Sequence, residues 1–95
     1  MVDTQQVFSK KLTIINKLGL HARAAAKLVS HSSHYLSEVE IKKDAQVVNG
    51  KSIMGVMMLA ASQGTEIELI IKGDDAKEML DDLTALIANR FGEEE

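Results

Sequence analysis

The chain has no cysteine, no proline and no tryptophan, and its aromatic residues are Phe8, Tyr35 and Phe91 alone. Without cysteine there is no disulfide framework, no thiolate metal site and no thiol nucleophile, and the redox compartment is left open. Three aromatics are too few for a surface that stacks nucleic-acid bases. Basic excess is also lacking. The formal net charge is −3 over 95 residues, and setting aside Glu93, Glu94 and Glu95 leaves eleven acids against eleven bases. A near-neutral body without a basic block argues against nucleic acid as a partner. The longest apolar run, Ile53 to Ala61, has nine residues including Gly55, against the roughly 20 of a membrane span. No membrane insertion is expected. The opening residues MVDTQQ lack the basic-then-apolar pattern of an export signal. A soluble, cytoplasmic protein is the default expectation.

What is present is ordinary globular composition, 45% hydrophobic and 26% charged, in a length that suits one domain. Residues 1–9 read as a lead-in and the start of the first strand, and 92–95 as an acidic, solvated tail. Leu12 and Ile14 alternate with Lys11 and Thr13, which predicts a half-buried strand from Lys10 to Asn16, followed by a loop through Gly19. From His21 to about Ser33 the period lengthens. Ala22, Ala25, Ala26 and Val29 recur at helical spacing, with Leu28 beside them. Val39 and Ile41 alternate with charges, and Asp44-Ala45 reads as a hairpin turn into a short strand, Gln46 to Asn49. Ser52 is a good N-cap for a helix reaching about Ala61. Ile67, Leu69 and Ile71 mark a fourth strand that Gly73 ends. Asp75 with Glu78 suggests a capping box before a helix with Ala76, Leu80, Leu83 and Ile87 on one face.

The element order is then β-α-β-β-α-β-α. Strands with one apolar face each suit a sheet covered on one side. The expected fold is α+β, an open-faced β-sandwich with a four-stranded, mainly antiparallel sheet and three helices on one face. The expected core is Leu12, Ile14, Val29, Val39, Ile41, Ile67, Leu69, Ile71, Leu80, Leu83 and Ile87.

The chemistry concentrates at Leu18-Gly19-Leu20-His21-Ala22-Arg23, where a loop becomes a helix. A helix N-terminus presents unpaired N–H groups and partial positive charge, so it attracts anions. That field disfavours imidazolium and favours a neutral, nucleophilic imidazole at His21. Arg23 offers bidentate contacts to a phosphoryl group. The plainer reading is a histidine that merely decorates the helix start. Ser52, in Gly50-Lys51-Ser52, caps a helix, and a phosphate there would be electrostatically tolerated. The same string is no P-loop, because the motif's first Gly would fall on Ala45. Ile53, Met54, Met57 and Met58 serve either core packing or an adaptable docking surface. His31 and His34 lack a third ligand and read as surface residues near a helix end. No metal and no cofactor is implied.

At these residues the sequence resembles the HPr family, the histidine phosphocarriers of the bacterial phosphotransferase system. Gly19-Leu20-His21-Ala22-Arg23 is similar to the family's active-site signature, and Lys51-Ser52-Ile53-Met54-Gly55-Val56-Met57 to the signature around its regulatory serine. Ile14-Ile15-Asn16-Lys17-Leu18-Gly19 is closer to the nitrogen-branch relative, NPr. The resemblance covers nearly the whole chain. It implies that His21 accepts a phosphoryl group on Nδ1 from phosphorylated Enzyme I and donates it to an enzyme IIA-type protein. Arg23 then contacts or positions the phosphate, and Ser52 is the site of a serine kinase and phosphatase where these exist. Leu20, Ile53, Met54 and Met57 form the apolar part of the docking face. Such a chain is a carrier rather than a stand-alone enzyme, and transient docking suits a monomer. One departure is Ala24, where the family usually has Pro. Pro there would pre-set the first turn, so the rigidity of the helix start is the property in question. The alternative is an NPr-like regulatory module that acts mainly by phosphorylation-dependent protein binding.

Overall fold

Alternating apolar residues produce four strands, and the longer period produces three helices. The computed structural model describes residues 6–95, so the first five residues of the lead-in lie outside the described residues. The elements are β1 (Val7–Thr13), α1 (Ala22–Ser32), β2 (Glu38–Lys43), β3 (Gln46–Asn49), α2 (Ile53–Met58), β4 (Glu66–Lys72) and α3 (Ala76–Ala88), with a closing 3₁₀ turn at Arg90–Gly92. The sheet order is β1-β4-β2-β3 and every pairing is antiparallel. Leu12 stands opposite Ile67, and Ile41 opposite Leu69. Val39, Ile41, Ile67, Leu69 and Ile71 therefore share the buried face, while Glu38, Glu40, Lys42, Glu66 and Lys72 lie on the open one. The fold expected from the sequence is the fold observed.

The boundaries moved where tertiary pairing overrode the local pattern. The first strand starts at Val7 because Val7 to Ser9 pair with Ile70 to Lys72. It stops at Thr13, since Asn16 uses its side chain to hold a loop, a use that competes with strand pairing. The second helix ends at Met58 rather than near Ala61, because Ala60 turns left-handed (φ 49°).

Helix phase also differed. In α1 the buried residues are Ala24, Ala25, Leu28 and Ser32, whereas Ala22 and Ala26 are exposed and Val29 is half-buried. In α3, Met79 takes the fully buried place expected for Leu80, which is half-buried, as is Leu12. The expected capping box is absent as well. The Asp75 carboxylate makes no cap and instead accepts from the Leu36 and Ser37 amides, at 2.9 Å each, and from the Ser37 hydroxyl. That contact ties the start of α3 to the turn before β2. Gly73 makes it feasible, because a Cβ there would collide with Ser37.

Candidate functional site

His21 is the N-cap residue of α1, with extended backbone (φ −72°, ψ 178°), and its carbonyl accepts from Ala25 N at 2.8 Å. No side chain caps this helix end and no acid lies in its first turn. Among the described residues no side chain satisfies the N–H groups at the positive end of α1, and such an end attracts anions.

The loop before His21 is tightly determined. Asn16 is fully buried, and its Nδ2 donates to the Gly19 carbonyl at 2.8 Å. Gly19 has φ 67°, and a Cβ there would strike the Ala61 carbonyl oxygen. Leu20 N donates to that same oxygen at 2.8 Å. The loop that presents His21 is therefore pinned to the segment just after α2.

The C-terminal residues supply a group that the sequence reading missed. Arg90, Phe91 and Gly92 all have left-handed backbone (φ 55°, 55° and 78°), a conformation costing roughly 1–2 kcal/mol for a residue with a side chain. The Phe91 ring is buried, 1% exposed, and its burial contributes about 1.5–3 kcal/mol in return. The reversed chain lays Glu93 on His21. Glu93 Oε2 lies 2.5 Å from His21 Nε2, and Glu93 Oε1 accepts from Asn16 Nδ2 at 2.9 Å. Burial pushes the Glu93 carboxyl upward, but the Asn16 and His21 hydrogen bonds outweigh it and hold the group below the usual glutamate range. The expectation of a wholly solvated tail is thereby corrected at Glu93. Glu94 and Glu95 do remain exposed.

Arg23 is exposed and lines the same cleft with His21, Lys17, Leu18 and the three glutamates Glu93, Glu94 and Glu95. Among the described residues no carboxylate sits within 4.0 Å of its guanidinium. Ala24, the departure from the usual Pro, is fully buried in the first turn of α1.

Ser52 caps α2, its hydroxyl accepting from Gly55 N at 3.0 Å. The helix has two faces. Val56 points into the core with the following Leu59, while Ile53, Met54, Met57 and Met58 are exposed, Met54 by 73%. Leu20 departs from the expected docking set. It is only 4% exposed, because the Gly19 turn directs it inward, and Leu18, 66% exposed, holds the surface position instead. Elsewhere, His31 is joined by a carboxylate that sequence spacing could not supply, Asp82 of α3, at 2.8 Å. Tyr35 donates to the other Asp82 oxygen at 2.7 Å. Among the described residues no group of three or more His, Cys, Asp or Glu could hold a metal ion. No helix among them is long and apolar enough to cross a membrane.

The family model described as the PTS HPr component phosphorylation site matches residues 8–89. A phosphocarrier protein HPr from Cupriavidus necator is 52% identical over 89 residues, 94% of this chain and 100% of the relative. The crystal structure of an HPr from Thermoanaerobacter tengcongensis superposes with a TM-score of 0.89 at 44% identity, covering 93% of this chain and 99% of that one. A second structure from that organism, described as an HPr dimer, gives 0.74 at 46% identity over 86% and 94% of the two chains.

Proposed function

The chain belongs to the HPr family of the phosphotransferase system, and on that premise we propose that His21 carries the phosphoryl group on Nδ1. The phosphoryl group comes from phosphorylated Enzyme I and passes to an enzyme IIA-type acceptor. The observation that carries this reading is the state of the ring. Nε2 is taken by Glu93, so Nδ1 is the nitrogen left for chemistry, beside an uncapped helix start and the exposed Arg23. The Nδ1 lone pair attacks phosphorus as the donor's bond to phosphorus breaks, the bonding pair leaving with the donor. Transfer to the acceptor repeats the exchange in the other direction. Arg23 contacts the phosphoryl oxygens. Ile53, Met54 and Met57, joined by Leu18 and Met58, form the apolar docking face, which suits a polarizable, adaptable surface used with more than one partner. The chain works as a monomer in this scheme.

The test uses phosphoenolpyruvate and Enzyme I, with intact mass measured before and after acid. The expected result is one phosphoryl group that acid removes and that His21→Ala abolishes. Undiminished labelling of that variant sinks the assignment.

A second reading is favoured by the exposure of Met54 and Met58 beside Ser52. Here Ser52 is a regulatory phosphorylation site, served by a serine kinase and phosphatase, and its charge alters docking across α2, as in an NPr-like module. Ser52→Asp is expected to change affinity for at least one partner with His21 untouched. Unchanged binding of Enzyme I and of the IIA-type acceptor alike removes this reading.

A further inference from the structure

Asn16 is a fully buried amide that the phosphocarrier scheme above leaves without a role. Its Nδ2 faces two acceptors at once, the Gly19 carbonyl at 2.8 Å and Glu93 Oε1 at 2.9 Å. The amide orientation is therefore determined, because the flipped form would set its own carbonyl oxygen against two oxygens that only accept. The other end, Oδ1, is buried with no partner among the described residues. A buried acceptor left unpaired is costly. Holding the amide this way round is thus worth more to the fold than satisfying its carbonyl.

We propose that Asn16 is a positioning residue for His21 that acts through Glu93, selecting the ring tautomer with the lone pair on Nδ1. A carboxylate only accepts hydrogen bonds. With Oε1 fixed by Asn16, Oε2 faces His21 Nε2 at 2.5 Å, and that nitrogen must carry the hydrogen. In the neutral ring the lone pair then stands on Nδ1. The supports for Glu93 are themselves built into the fold: the buried Phe91 ring, the left-handed Arg90 and Phe91, and Lys27 Nζ donating to the Phe91 carbonyl at 2.6 Å. When Nδ1 takes a phosphoryl group and Nε2 keeps its hydrogen, the ring gains positive charge, which the Glu93 carboxylate offsets. The inference rests on His21 being the phosphoryl acceptor.

The amide of Asn16 makes the test unusual. In a Glu93→Gln variant the Asn16 donor selects the new side chain's carbonyl oxygen. The new amide NH₂ is then left facing His21 Nε2. Nε2 must now accept, and the ring hydrogen moves to Nδ1. The measurement is the pair of ¹⁵N ring shifts of His21 at a pH where the ring is neutral, with the rate of phosphoryl acceptance from Enzyme I read in parallel. Wild type should show Nε2–H. Glu93→Gln should invert the tautomer and slow acceptance by about 10-fold or more, because the wrong tautomer puts a hydrogen on the attacking nitrogen. Adding Asn16→Ala frees the introduced amide to rotate, so the double variant should recover a mixed tautomer and part of the rate. Should Asn16→Ala not fold, the single Glu93→Gln variant decides. A wild-type-like tautomer and rate in Glu93→Gln overturns the proposal. Wild type that takes no phosphoryl group overturns the carrier reading instead, and the ¹⁵N shifts still decide the tautomer.

Discussion

Lys27 and Phe91 are joined across most of the chain: the Lys27 ammonium donates to the Phe91 carbonyl at 2.6 Å. The helix that begins at His21 therefore also grips the segment that returns Glu93 to His21. Phe91 supplies the apolar half of this anchor, being 1% exposed.

Phe91→Ala should accordingly lower stability by about 3–5 kcal/mol, the usual cost of emptying a buried aromatic site. It should also free Glu93 from His21. Urea unfolding reads the first effect and the His21 ring shifts read the second. A loss below about 1 kcal/mol, within the range of surface substitutions, contradicts an anchoring role for the ring.

Contact between Glu93 and His21 should depend on acid. The Glu93 carboxyl titrates below its ordinary value because the Asn16 and His21 hydrogen bonds outweigh burial. A lowered folded value means that the stability from this contact is fully present above the ordinary glutamate value, about 4.3. It is lost as pH falls through the lowered one. A carboxyl ¹³C titration of Glu93 with its midpoint at or above about 4.3 is the result that excludes this linkage.

Tyr35 offers a cleaner titration, being the single tyrosine of the chain. Its hydroxyl donates to Asp82, and that bond, followed by burial and the Asp82 charge, pushes its pKa from 10.0 up to about 12. The sign is the reverse of the glutamate case. A raised folded value contributes stability below the unfolded pKa, lost as pH rises through the folded one. Phenolate absorbance should therefore appear near pH 12. In Asp82→Ala it should move back toward about 10, and an unmoved midpoint in that variant rules out Asp82 as the cause.

Asp75 and Glu78 separate a clasp from a capping box. Asp75 holds the Leu36 and Ser37 amides and the Ser37 hydroxyl, while Glu78 is exposed. Asp75→Ala should lower the urea unfolding midpoint clearly, because the Leu36 and Ser37 donors lose their acceptor. Glu78→Ala should stay within about 0.5 kcal/mol of wild type. Equal losses from the two changes would restore the capping box.

Local periodicity was enough to place four strands, three helices and their order, because alternation and helical spacing are properties of neighbouring residues. His21, Arg23 and Ser52 were legible for the same reason, each standing at a loop-to-helix junction visible in the chain. Sidedness was not. Leu18 and Leu20 are equivalent in a linear reading, and only the Gly19 turn against Ala61 sends Leu20 inward. Ala24 and Ala26 are likewise equal helix formers until packing against the sheet decides which is buried.

The sequence alone thus determined the architecture and the placing of His21 where a loop becomes a helix, since both depend on short-range pattern. The tertiary structure alone decided what stands behind His21. Among three consecutive glutamates only Glu93 reaches His21, and it does so because three left-handed residues reverse the chain while Lys27 and the buried Phe91 ring hold the reversal. The partners lie 72 and 77 residues apart in sequence, Glu93 with His21 and with Asn16. No local pattern reports such a contact, because it exists only once the C-terminal turn has packed back against the start of α1.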